Sequence, residues 1–310
     1  MRLGVVIIVL LLGIGNSLAQ DFQRVDAAIK LYPERFQTTE QLAQMIARDF
    51  TDPQEQLRAA YGWIISHIAY DPEQYKNFNY NFKDYRERNA KEEQSRAKII
   101  EHTISQGVAV CEGYAMLFEQ LCNVLGIETY LVRGDIKSHF NDIGRPFDTT
   151  HMWNMAIVNG TSYLFDPTWG AGKYQDRFIH EPSYEYFMAQ PSWLINTHYP
   201  DFIDDTLLEA PFSRAVFEQM PLIVYPGLTW EHLIEPKFGI VDSTLEEGSI
   251  QFELEGVNPK KVSYAFGSKK RKAKHQIQEG SLFFEIPLTL GSDELIIYFD
   301  DQPALAYKIE

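Results

Sequence analysis

The sequence predicts an α+β protein: a helix packed on an antiparallel sheet, followed by a β-sandwich-like region. Three observations predict it. Helical periodicity fills residues 20–70, and a further helix signal after Gly107 gives way to two strand-like runs around Asn159-Gly160. From about residue 213 the helical signal fades, and short strands recur between turn residues.

The N-terminus sets the compartment. Arg2 precedes an apolar run from Val5 to Ile14 broken only by Gly13, and Gly15-Asn16-Ser17-Leu18-Ala19 puts small residues where a signal peptidase reads. Residues 1–19 are expected to be a cleaved signal peptide, leaving a secreted or periplasmic chain that begins at Gln20. The run is about half the roughly 20 apolar residues a spanning helix needs, so no membrane span is expected. Loss of residues 1–19 removes only Arg2 and moves the net charge from −15 to −16. Such acidity argues against nucleic acid or anionic lipid as the main partner.

Leu42, Met45, Ile46 and Phe50 follow the helical period, and so do Leu57, Tyr61, Ile64, Ile65 and Ile68. Asp52-Pro53 between them is an N-cap followed by proline at the first helical position. Residues 73–90 mix aromatics with charges and read as an ordered surface loop, with a polar helix over 91–104. The next helix opens at Cys111 and runs through Tyr114, Ala115, Phe118, Leu121, Cys122 and Leu125 to a Gly126 cap. Ile127 to Ile136 is strand-like, and Met152–Val158 with Thr161–Phe165 flank the Asn-Gly hairpin signal. Five short strands are expected between Leu222 and Phe299. The basic run Lys269 to Lys274 reads as a solvated hairpin tip, with docking to an acidic surface as the rarer use. The domains expected are therefore 20–212, helices plus sheet, and 213–310, β-sandwich-like and without catalytic residues.

Two cysteines in an exported chain suggest a disulfide. Eleven residues of helix at ~1.5 Å rise would hold Cys111 and Cys122 roughly 16 Å apart, whereas a bridge needs Cα atoms within about 7 Å. Both are expected to be free thiols. Cys122 reads as a small core residue and Cys111, partly accessible, as a nucleophile: the opening turn of a helix presents backbone N–H groups and the positive dipole end, which favour a thiolate.

The hairpin supplies its partners. In a two-residue turn Val158 faces Thr161, so Trp153 faces Asp166 and His151 faces Thr168, and all four lie on one face. His151 and Asp166 are then diagonal neighbours, about 7–8 Å apart at the backbone, within reach of an imidazole and a carboxylate. Acid beside base beside thiol is the arrangement of a nucleophile–base–orienter triad. Tyr114, Trp153 and Trp169 are the candidates for lining its cleft, and Gln106 is a candidate oxyanion donor besides the backbone N–H of Cys111.

Three blocks carry a resemblance: Gly107-Val108-Ala109-Val110-Cys111-Glu112-Gly113-Tyr114-Ala115, His151-Met152-Trp153-Asn154, and Leu164-Phe165-Asp166-Pro167-Thr168-Trp169-Gly170-Ala171-Gly172. In this order they resemble the catalytic blocks of the transglutaminase-like superfamily, above all its kyphoscoliosis-peptidase-like branch of bacterial secreted members. Tyr61 to Asp71 resembles the helix before the core in that branch, so the likeness spans residues 57–172. It implies a papain-like α+β core, acyl-enzyme chemistry on amide bonds, Cys111 as nucleophile, His151 as general base and acid, and Asp166 as orienter. Two extra residues separate Gly107 from Val110-Cys111, a departure that implies a re-shaped loop. No cluster suits the calcium site of animal transglutaminases, and the CxxC zinc pairs of peptide:N-glycanase relatives are absent. No metal or cofactor is expected.

The expectation is therefore a secreted cysteine enzyme that attacks a carboxamide or peptide bond of a protein or peptide substrate through a thioester. Water as acceptor makes it a peptidase or amidase, which is favoured because water is always present; an amine makes it a transglutaminase. The rival reading is a catalytically silent transglutaminase-like binding or scaffold protein that holds a partner through its cleft and β-domain.

Overall fold

The computed structural model describes residues 22–74, 85–242, 244, 248–289 and 291–310, with backbone alone over 85–93. The expected signal peptide, and most of the aromatic loop over 73–90, lie outside the described residues.

Helices α1 (Gln23–Ile29), α2 (Thr39–Asp49) and α3 (Pro53–His67) come first. Thr38 caps α2 by accepting from Gln41 N–H, and Asp52 caps α3 by accepting from Gln54 and Glu55 N–H ahead of Pro53. Strand β1 (Ala69–Tyr70) follows, then α4 (Tyr85–Gln106), which starts earlier than the polar pattern suggested. Strand β2 (Val108–Ala109) pairs in parallel with β1 and delivers the chain into α5 (Cys111–Val124).

Next come β3 (Thr129–Ile136), β4 (His151–Val158) and β5 (Thr161–Phe165), the short helix α6 (Pro167–Ala171), and a small hairpin of β6 (Gly172–Gln175) with β7 (Arg177–His180). Strand β8 (Phe187–Ala189), helix α7 (Pro191–Leu194) and β9 (His198–Pro200) complete a five-stranded antiparallel sheet in the order β8-β5-β4-β3-β9. Asn159 and Gly160 both take positive φ, +52° and +78°, as the tight hairpin turn requires. Val158 pairs Thr161 and Asn154 pairs Phe165.

One face of this sheet packs on the helices. Met152, Ala156 and Phe165 join Tyr61, Trp63, Phe118, Leu121 and Cys122 in a single buried core. Fully burying one such large side chain is worth about 1.5–3 kcal/mol. Asn154 ties sheet to helix by donating to Ala115 O at 3.0 Å. Leu164, Ala189 and Leu194 form a smaller cluster of their own.

Helix α8 (Arg214–Gln219) leads into strands β10 (Leu222–Ile223), β11 (Leu233–Glu235), β12 (Ile240–Val241), β13 (Ser249–Glu255), β14 (Val262–Phe266), β15 (Lys269–Lys272), β16 (His275–Gln278), β17 (Ser281–Pro287), β18 (Glu294–Phe299) and β19 (Gln302–Ile309). They form two sheets, β10-β19-β18-β14-β15 with β12 also on β19, and β11-β13-β17-β16. The sheets share one core: Phe252 stacks on Phe284 within one sheet, 4.6 Å apart, and meets Tyr307 of the other edge-on at 5.4 Å. The sandwich-like character expected from strand spacing is thus present. Its core also takes in Ile195 and Tyr199 from before residue 213.

The basic run differs from expectation. Gly267, at φ +67°, makes the turn, and Lys269–Lys272 is an exposed strand at the free edge of its sheet. Lysines there oppose pairing with a foreign strand. Among the described residues no helix is long and apolar enough to cross a membrane.

Candidate active site

Cys111 is the first residue of α5, and Val110 before it is extended and offers no side-chain cap. Gly113 explains the Cys-Glu-Gly sequence: a Cβ there would lie 2.6 Å from Thr103 Oγ1 and 2.7 Å from Ala109 Cβ, so only glycine lets this first turn press on α4 and β2. The Asp-Pro-Thr-Trp-Gly sequence has an equally local reason. Asp166 is the N-cap of α6, its Oδ1 accepting from Thr168 N–H at 2.7 Å and Trp169 N–H at 3.0 Å, with Pro167 at the first helical position. Gly170 leaves room for the Tyr61 hydroxyl, which donates to Asp166 O at 3.1 Å.

These elements bring Cys111, His151 and Asp166 together. His151 opens β4, and its Nε2 donates to Asp166 Oδ2 at 2.7 Å. That leaves Nδ1 for Cys111, whose side chain hydrogen-bonds the same imidazole. Asp166 has no exposed surface and His151 only 7%. Cys111 is 4% exposed, less open than expected, with its sulfur turned onto the imidazole. Cys122 is fully buried; both cysteines are free, and burial pushes the Cys122 thiol up to about 12.

Electrostatics separates the members of the cluster. Burial pushes the His151 imidazole down, but the charge and hydrogen bond of Asp166, with Cys111 on the other side, outweigh it and raise it to about 10. Burial raises the Asp166 carboxyl, and the His151 charge and the hydrogen bonds it receives hold it far below the usual carboxylate range. The pair is an imidazolium–carboxylate at neutral pH. A protonated imidazole beside the sulfur is the partner a thiolate nucleophile requires.

The other sequence candidates fall differently. Tyr114 is fully buried and donates to Ile68 O at 2.7 Å, so it is a core residue rather than part of a cleft wall. Trp153 is also buried, stacked on His151 with ring centres 6.0 Å apart, and backs the imidazole instead of lining open space. Trp169 is half-buried and lies 6.4 Å from His151. Gln106 is exposed at the end of α4 with its amide toward Ser105, and the extended residues of β2, at ~3.3 Å each, separate it from Cys111. The structure does not bring it to the site.

Sequence reasoning missed His198. Its Nε2 donates to Asp166 Oδ2 at 2.9 Å, the oxygen His151 uses, from a position with 1% exposure on β9. Among the described residues, His151, Asp166 and His198 form the one group whose ligand-type atoms, within 4.8 Å of one another, could hold a metal ion. An ion would have to displace both hydrogen bonds that now join them.

Residues 40–167 match the family described as the transglutaminase-like superfamily. The chain is 24% identical over 287 residues to the kyphoscoliosis peptidase of Mus musculus, an alignment covering 89% of this chain and 40% of that protein. It is also 24% identical over 289 residues to the Homo sapiens kyphoscoliosis peptidase, covering 90% and 40%. The chain thus spans about two fifths of the length of these curated relatives. A solved structure of a TGase matches 56% of this chain and 40% of its own, with 15% identity and a TM-score of 0.30.

Proposed function

The chain carries a domain of the transglutaminase-like superfamily, and from that premise we propose that it is a cysteine-dependent acyl-transfer enzyme acting on amide bonds of a protein or peptide. One observation carries the reading: His151 is held between Cys111 and Asp166, with its Asp166 bond at 2.7 Å.

In this mechanism the Cys111 sulfur attacks the carboxamide carbon. The proton on His151 passes to the leaving nitrogen as the C–N bond breaks, which gives a thioester and a neutral amine. His151 then takes a proton from the acceptor, whose oxygen or nitrogen displaces the sulfur. Asp166 stays ionised throughout, fixing the imidazole orientation and stabilising its charged form. The same groups serve water or an amine as acceptor. Hydrolysis is the favoured outcome because water is always present. The apolar N-terminal run followed by small residues supports export.

Iodoacetamide at neutral pH tests the proposal. Cys111 should alkylate rapidly and Cys122 not at all, and Cys111→Ala should abolish release of amine from a peptide-amide library. Slow, equal labelling of both thiols would instead favour a silent binding protein.

A further inference from the structure

We infer that His198 is a positioning residue of this site: a second imidazole that holds the Asp166 carboxylate in a single orientation toward His151. The inference rests on the cysteine-enzyme reading above and extends it to a residue outside the three motif blocks.

The carboxylate geometry makes the case. Asp166 Oδ1 accepts from the N–H groups of Thr168 and Trp169, and Oδ2 accepts from His151 at 2.7 Å and His198 at 2.9 Å. A carboxylate has about four lone-pair sites, so every one is filled. An ionised carboxylate only accepts, which puts a proton on His198 Nε2. Its Nδ1 lies 2.8 Å from Thr197 Oγ1, and with the ring proton on Nε2 the hydroxyl donates to Nδ1 in preference to Leu194 O, which is 3.4 Å away. Neutral His198 is thus fully satisfied in one tautomer.

The fold makes room for this second ring. Gly134 on β3 pairs His151 on one side and Pro200 on the other, and His198 pairs the next residue but one, Ile136. Paired and alternate residues share a face, so between the two histidines β3 presents a glycine. A Cβ on Gly134 would lie 2.1 Å from Tyr199 O and 2.7 Å from the Trp153 ring. The missing side chain lets β9 close in and lets Trp153 lie across the gap.

The surroundings of His198 exclude contact with substrate. Its side chain has no exposed surface, and the rings of Trp153, Trp169 and Tyr186 stand 5.3, 4.6 and 6.0 Å away. The titratable groups facing it are Asp166, His151, Tyr186 and, across a small cavity, Asp205. Burial and the His151 charge keep it from protonating, against the pull of Asp166. His198 therefore donates to the carboxylate without adding a second positive charge that would compete for it.

Two variants of the full chain and a histidine spectrum test this. In 15N-histidine NMR of the wild type at pH 7, His198 should be neutral with its proton on Nε2, while His151 is protonated. His198→Leu should slow Cys111 alkylation at least tenfold at pH 6–7 and displace the His151 titration. His198→Gln, whose amide offers a donor at the same reach, should recover most of the rate. Wild-type alkylation and an unmoved His151 titration in His198→Leu would overturn the inference, as would a His198 with its proton on Nδ1 alone. A slow wild-type Cys111 would sink the enzyme reading instead, and the tautomer of His198 would still be decided.

Discussion

Asp166 caps a helix with one oxygen and holds two imidazoles with the other. That division predicts how Asp166→Asn behaves. The amide oxygen keeps the α6 cap, so circular dichroism should show the fold retained. The amide nitrogen, now a donor, meets the Nε2–H of His151, and the neutral amide no longer balances the imidazolium charge, so Cys111 loses the protonated partner its thiolate needs. Turnover should fall steeply; the corresponding change in a serine triad costs about 10⁴. The His151–Asp166 pairing is readable in the sequence because both residues sit at the ends of one hairpin, where the Asn-Gly turn and the period of two set the register. His198 is not readable, because it lies 32 residues further on, in a three-residue strand that reaches the site only through pairing with β3. Gln106 misleads for the opposite reason, since nearness in sequence becomes distance in space once the chain is extended. Tyr114 obeys its helical period and is core for that reason.

At the scale of elements, the β3–β4–β9 arrangement turns on Gly134. Gly134→Ala would drive a methyl group into the backbone of β9, 2.1 Å from Tyr199 O, and a backbone neighbour cannot rotate away. The cost should be on the order of 3 kcal/mol. It should appear as a lowered Tm together with slower Cys111 alkylation, because β9 carries His198. A variant of wild-type Tm and reactivity would show that β9 has slack the structure does not suggest. Glycines at turns announce themselves in a sequence by their neighbours. One needed for close approach in mid-strand does not, because its reason lies in another segment. Hairpins and the amphipathic α5 are legible in the sequence, whereas the last strand, β19, shows no clean alternation; its burial runs through four consecutive residues.

At the scale of the whole molecule, Lys137 joins the two cores. It follows β3, is 1% exposed, and donates to Phe217 O and Met220 O at the end of α8. Burial lowers its pKa from 10.5 to about 7, against the pull of Asp142 and Asp135. A lysine depressed in the folded state binds fewer protons there than when unfolded between those two values. Its unfavourable contribution is therefore complete below pH 7 and is relieved as pH rises toward 10.5, with a slope of at most about 1.4 kcal/mol per pH unit. Lys137→Met lacks the titration, so the wild type should gain stability on the variant between pH 7 and 10 in paired denaturant titrations. A constant gap would show that the amine is protonated throughout.

Strand β19 has a further consequence, for the order of events at the ribosome. It pairs with β10, β12 and β18, and its Tyr307 lies across the sandwich on Phe252. None of those strands can complete its ladder until translation passes Ile309. For that interval Phe252 lacks the Tyr307 ring that covers it, while the Cys111 helix and its hairpin have long since emerged. The nascent chain thus offers chaperones an apolar surface from its later half, and premature release before Gln302 leaves that surface open to aggregation.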